Sequence, residues 1–219
     1  MPMTSDRFFS QADLDAIRAA VGEAEGQTSG EIVPYVVDQS DAYPSAAWKG
    51  AALGALLAPL LALAIHRWSS IWGIPIEYWI ALPAPVGGAA GYLLALLPAV
   101  RRWMAGEEAM ESRARRRAAV AFLDQEVFRT ADRTGILLFV SLFEHRVVLL
   151  ADAGIHEKVD QGQWEEITRR LAAEIRRGRR GPAMVEAIRA CGELLARHKV
   201  EIRPDDRNEL SDELRRGRD

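Results

Sequence analysis

Cysteine is nearly missing from this chain: Cys191 stands alone in 219 residues. That excludes an intrachain disulfide and any multi-cysteine metal site. Its spacing in MVEAIRACGELLARH puts it among helix core positions, where a thiol packs as a small apolar group. A surplus of positive charge is missing too. The 28 Lys and Arg are balanced by 31 Asp and Glu, for a formal net charge of −3, so no general basic face for nucleic acid is expected. The opening MPMTSDRFFSQADLDAI has no basic stretch followed by an apolar run, and no cleavable signal peptide is expected. Phosphate loops, GxGxxG, GxSxG, HExxH and CxxC are all absent. The common nucleotide, serine-hydrolase, zinc-protease and dithiol chemistries therefore have no local signature here.

Charge itself is absent from one long region. Between residues 50 and 100 the only ionisable cations and carboxylates are His66, Arg67 and Glu77, although 49% of the whole chain is hydrophobic and the flanks are densely charged. Gly50 to Ile65 carries no charge and as a helix would be about 24 Å long at ~1.5 Å per residue. Counting Trp48 and Trp68 brings it to about 30 Å, the thickness of a hydrocarbon core, with an aromatic residue at each end. A second uncharged stretch, Tyr78 to Val100, ends in the basic and aromatic RRW. The competing reading is two buried helices of a large core. The remaining sequence supplies no amphipathic partners of matching size, and prolines at 59, 83, 85 and 98 are better tolerated in spans than in water-soluble helices.

The sequence therefore predicts a two-helix transmembrane hairpin. Gly50 with Gly54, and Gly87 with Gly91, repeat at the four-residue spacing that lets backbones approach, which would close the hairpin or join two copies in a homo-oligomer. The loop HRWSSIWGIPIE holds only Arg67. Lys49 and the arginines at 101, 102, 113, 115, 116 and 117 lie outside it. The positive-inside rule then puts both termini and the soluble part in the cytoplasm, at a bacterial-type inner membrane.

On either side the chain reads as a soluble α/β domain. Ser10 caps a helix with Asp13 at its third position and Leu14, Ile17 and Val21 as its stripe. A strand is expected over Glu31–Val37, with Pro34 marking an edge or a bulge. After the hairpin, a helix is expected to pack through Val120, Phe122, Leu123, Val127 and Phe128. Two nearly continuous apolar strands, 136–142 and 146–151, read as covered on both faces. Two amphipathic helices separated near Gly178–Gly181 follow, then a polar tail expected to be only partly ordered. Whether HKVEI adds a fourth strand is left open. The strand–helix–strand step predicts a parallel first pair, with the third strand antiparallel to the second. The expected fold class is α/β: a small mixed β-sheet sandwiched by helices and interrupted by the hairpin. The expected divisions are 1–47, 48–103, 104–200 and 201–219.

That topology gathers Glu31, Asp132 and Asp152 at one end of the sheet, with His156 and Glu157 beginning the next helix. Carboxylates there suit a hard cation such as Ca²⁺ or Mg²⁺; equally, Asp152 suits a turn or helix cap. Asp38, Asp41, Glu144 and His145 gather at the other end, where they read as solvated loop residues. Asp205–Asp206 reads as a solvated turn. The run RRGRRG, Arg176 to Gly181, fits a helix C-terminus and also fits anionic lipid headgroups, together with Arg113–Arg117.

Three stretches resemble the TPM domain, the family named for the thylakoid TLP18.3, Psb32 and MOLO-1 proteins: Thr28-Ser29-Gly30-Glu31-Ile32, Gly135–Leu150, and Asp152-Ala153-Gly154-Ile155-His156-Glu157-Lys158-Val159. The likeness covers about Phe8 to His198 without the apolar insert. It implies an α/β/α sandwich often tethered to a membrane, work in the repair or assembly of membrane complexes, divalent-cation binding, and a debated acid-phosphatase activity. The chain departs from the family's frequent secretion. The expected role is a membrane-anchored binding or assembly module whose partners are the lipid bilayer and a membrane protein complex, not nucleic acid. The alternative is a metal-dependent phosphatase using the Glu31 and Asp152 end.

Overall fold

The structure is a computed structural model that describes residues 8–69, 75–156, 158–198, 200 and 209–217. Glu157, Asp205–Asp206, part of the HRWSSIWGIPIE loop, and Lys199, Glu201 and Ile202 of HKVEI lie outside the described residues. The chain divides into two compact units, one made of Met1–Ser40 with Glu111–Asp219, the other of Asp41–Met110.

In the first unit, helix α1 (Gln11–Glu25) opens on a capping box. The Ser10 Oγ accepts from the Asp13 N–H at 3.1 Å, and the Ser10 N–H donates to the Asp13 carboxylate at 2.9 Å. Ile17 and Val21 are buried on its inner face. Strand β1 (Glu31–Val37) runs parallel to β2 (Gly135–Ser141), with Glu31 opposite Gly135. Strand β3 (Arg146–Ala151) runs antiparallel to β2, with Ala151 opposite Ile136. This is the expected pairing. A fourth strand, β4 (Arg215–Gly217), joins β1 in parallel and gives the order β3-β2-β1-β4.

Alternation along the strands sorts the two faces. Ile32, Val36, Ile136, Leu138 and Val140 pack with α1, α8 (Gln161–Arg176) and α9 (Arg180–Arg197). Val33, Tyr35, Val37, Leu137 and Phe139 pack with Ala118 and Ala121 of α6 (Glu107–Asp124) and with Val127. The sheet is thus the middle of three layers.

Three expectations change here. Residues 209–217 of the tail dock on the sheet domain and supply the fourth strand, which the sequence leaves open. β3 is half-buried along its length because it lies at the sheet edge, while β2 is buried throughout. Val120 and Leu123 are 40% and 62% exposed; small alanines, not these branched residues, let α6 lie close on the sheet. β1 lies inside the sheet order, yet Pro34 is accommodated. The Ile32 N–H points away from β2, to the Glu25 carboxylate, so the ring nitrogen of Pro34, two residues on, faces the same way. β4 begins only opposite Tyr35, so no ladder bond is lost.

In the second unit, α2 (Pro44–Ser69) is a single helix of 26 residues, containing Pro59. It is long and apolar enough to span a membrane, with 6% of its most apolar window buried. The second uncharged stretch is broken into α3 (Ile76–Ala81), α4 (Pro83–Ala95) and α5 (Pro98–Ala105). The axis bends by 98° between Ile76–Ala95 and Pro98–Ala105, where Pro98 starts the new helix. RRW therefore lies on α5, beyond the bend. α2 packs against α4 through glycine. A Cβ on Gly54 would run into the Gly87 carbonyl oxygen, and one on Gly91 into the Gly50 carbonyl oxygen.

Candidate functional site

The starts of β1 and β2 and the end of β3 share one end of the sheet, so Glu31, Asp132 and Asp152 belong to one region, as expected. Their carboxylates are nonetheless committed separately. Asp152, 5% exposed, receives the Arg133 Nε at 2.6 Å and Nη2 at 2.8 Å, a bidentate pair. Its Oδ1 also accepts the Ala153 N–H at 2.7 Å, the first N–H of the short helix α7 (Ala153–His156). Burial by itself pushes its carboxyl up. The bonds from Arg133 and Ala153, with the guanidinium charge, outweigh that and hold it below the ordinary carboxylate value.

Glu31 is buried and faces the tail. Its two oxygens accept the N–H groups of Glu209 at 3.1 Å and Leu210 at 3.3 Å. Glu209 in turn accepts the Ala131 N–H at 2.9 Å. Asp132 is exposed, as is His156 at the end of α7. Among the described residues, no three or more His, Cys, Asp or Glu side chains form a group able to hold a metal ion.

Sequence reasoning missed two members of this end. Arg133 sits with φ 57° in the turn before β2, and nothing in its local sequence marks it as the partner of Asp152. Glu25 ends α1 and accepts the Ile32 N–H at 2.8 Å. Its burial, and the nearby Glu31 and Asp212 charges, push its carboxyl up to about 8, although the Ile32 bond opposes this.

The opposite end of the sheet is organised around Glu144, which is 2% exposed rather than solvated. One oxygen accepts the Ser40 N–H at 2.8 Å; the other accepts from the Ser141 hydroxyl. That bond uses the single Ser141 proton, so the Ser40 hydroxyl is the donor in its 2.8 Å bond with Ser141. The Leu142 and Phe143 N–H groups donate to the Val37 and Asp38 carbonyls at 3.1 and 2.9 Å. Glu144 thus ties the end of β1 to the β2–β3 turn. His145 takes φ 53° in that turn and is exposed; Asp41 accepts the Tyr43 N–H at 2.8 Å in the second unit. Sequence spacing put Glu144 at this end, but only the close approach of Ser40 explains its burial.

These features define a mixed α/β sheet layered by helices, with polar groups at both sheet ends engaged within the protein. The fold is similar to the NMR structure of BA42 protein from the psychrophilic bacterium Bizionia argentinensis. That likeness has a TM-score of 0.58 and 17% identity, and it covers 97% of this chain and 98% of that one. At that identity the likeness speaks for the fold alone. No family model matches the chain, and no curated protein matches it.

Proposed function

We propose that this chain is a membrane-anchored, TPM-like binding or assembly module, held by a two-helix hairpin at the cytoplasmic face of a bacterial-type inner membrane. One observation supports this above others: the outer surface of α2 is continuous hydrocarbon exposed to the surroundings. Leu56, Leu57, Leu60 and Leu61 are each more than half exposed, far beyond the scattered apolar residues of a soluble surface. Trp48 and Trp68, 69% and 92% exposed, bracket the stretch as interfacial anchors do.

α3 and α4 together supply the second span, about 30 Å over Ile76–Ala95 at ~1.5 Å per residue. Beyond the bend, α5 presents Arg101, Arg102 and the exposed Trp103, groups suited to an interface. Lys49 donates to the Met104 carbonyl at 3.1 Å, so the two charged ends of the hairpin meet, consistent with both lying on one side. The glycine contacts between α2 and α4 favour closure of the hairpin within one chain.

The binding role rests on the sequence resemblance. The hydrolase alternative gains no support from the geometry, because the oxygens of Asp152 and Glu31 that would bind a metal hold Arg133 and the tail instead. The test is alkaline carbonate extraction of membranes containing the full chain, followed by purification in mild detergent. Retention in the pellet, co-purification of a discrete membrane complex and no turnover of phosphate esters are expected. Turnover that is lost in Asp152→Asn would overturn the binding role in favour of the enzyme.

A further inference from the structure

β3 is an edge strand, with β2 on its inner side and no strand on its outer side among the described residues. The Asp152 N–H, just past the end of β3, donates to the Gly135 carbonyl of β2 at 2.9 Å. Alternate residues of an antiparallel strand face the same way, so Arg146, Val148 and Leu150 also turn their main-chain groups to β2. Val147, Leu149 and Ala151 turn theirs outward, and among the described residues those N–H and carbonyl groups have no partner. The strand lacks the usual protection of an edge: it contains no proline and no lysine, and no bulge breaks its register.

The edge is also recessed. A groove of about 460 Å³ runs along the whole of Arg146–Ala151, walled by Ala114 and Arg115 of α6 and by Trp164 and Thr168 of α8. All of these residues belong to the first unit. The charged groups on its walls are of both signs, with Arg115 held by Glu111 at 2.9 Å, so the groove presents no field of one sign. Trp164 supplies an independent observation. It is 3% exposed, and its indole N–H is buried without an acceptor, which costs stability until an acceptor arrives.

We infer that this groove takes an extended peptide segment of a partner protein, added as one more strand beside β3. The complement of outward N–H and carbonyl groups repeating every second residue is another extended main chain. Such a strand brings carbonyl oxygens into the groove that Trp164 lines, and so offers its indole an acceptor. A second copy of this chain fits less well. Its own β3 lies recessed between the same two walls, and two concave edges do not meet. The inference rests on the binding role proposed above and names the form of the partner.

The test uses the full chain in dodecyl maltoside and a fluorescent probe, a short peptide of alternating valine and threonine with a lysine at each end. Anisotropy is expected to show saturable binding, and none for the same peptide N-methylated at every valine and threonine. Leu149→Pro removes one outward N–H and no bond to β2. It leaves a peptide carbonyl unpaired, so binding is expected to weaken about tenfold. Leu149→Ala keeps that N–H and is expected to bind within about twofold of the wild type. Should Leu149→Pro fail to fold, the wild type still decides. The Trp164 indole N–H resonance, assigned by its absence from Trp164→Phe, is expected to move downfield on peptide addition as it gains an acceptor. No saturable binding at millimolar peptide, an unmoved indole resonance, or equal loss in Leu149→Pro and Leu149→Ala would overturn the site. Self-association of the peptide-free chain that Leu149→Pro abolishes would overturn the peptide in favour of a second copy. A chain that co-purifies with a membrane complex but ignores the probe overturns this groove alone. Phosphate-ester turnover without any complex overturns the binding role and the groove with it.

Discussion

Replacing Asp152 by Asn removes a charge and little else. An Asn side-chain oxygen accepts a backbone N–H as a carboxylate oxygen does, so the bond to Ala153 can persist and the loss reports the Arg133 pair. Breaking a fully buried pair costs ~3–5 kcal/mol, and an exposed one ~0.2–1. Here the carboxylate is 5% exposed but the Arg133 side chain is 58% exposed, so the Asp152 charge is expected to contribute about 2 kcal/mol. In a chain of this size that corresponds to a fall of about 4–8 °C in Tm. The pH dependence fixes the cause. The folded carboxyl lies below its ordinary value, so its contribution is complete above the unfolded value of ~3.9 and is lost as pH falls through the lower folded one. Thermal unfolding of the full chain in detergent should therefore separate wild type and variant at pH 7 and bring them together in acid. Equal separation at both pH values, or none at pH 7, would refute the reasoning. Millimolar Ca²⁺ is expected to leave the wild-type Tm unchanged, since a cation at Asp152 would have to displace Arg133.

Glu25→Gln should act with the opposite sign. A carboxyl raised to about 8 gives its full contribution below its unfolded value of ~4.3 and loses it as pH rises towards 8, so the variant should be similar to the wild type at pH 4 and clearly more stable at pH 8; denaturant midpoints at the two pH values check this. Gly54→Val would drive a side chain into the Gly87 carbonyl, whereas a Cβ on Gly88 meets only ordinary contacts at 3.4 and 3.5 Å. The first is expected to cost about 2–3 kcal/mol and Gly88→Ala almost nothing, read as thermal stability in nanodiscs. Leu138 is fully buried, and Leu138→Ala should cost about 3–4 kcal/mol in the same assay. Cys191 is buried, its thiol pushed up to about 12 by desolvation, so maleimide should label it only after unfolding, as mass spectrometry would show.

Much of the soluble fold was legible because its signals are local. Ser10 and Asp13 announce a cap, and the β-branched run at Glu31–Val37 announces a strand. The order strand–helix–strand fixes the parallel pair. What escaped depends on pairing across long separations. β4 is a three-residue strand in a polar tail, held by Glu31, and no periodicity can reveal a strand so short. Asp132 and Asp152 were brought to the right end of the sheet, but Arg133 had taken Asp152, and a sequence does not show which side chain reaches a carboxylate first. Glu144 was assigned to a solvated loop because turns usually are; its burial follows from Ser40, 104 positions away. In the apolar insert the composition was plain, whereas the break at Pro98 moved RRW off the second apolar stretch and onto a separate helix.

The central claim is that residues 44–95 cross a bilayer twice and leave the sheet domain on the cytoplasmic side. Its most direct test is labelling with a membrane-impermeant maleimide, with Cys191 as a silent background. Trp68→Cys, at the loop end of α2, and Glu193→Cys, on the exposed face of α9, are compared in spheroplasts before and after permeabilisation. The account predicts that Trp68→Cys labels in intact spheroplasts and Glu193→Cys only after permeabilisation. Labelling of both positions from the same side would contradict it.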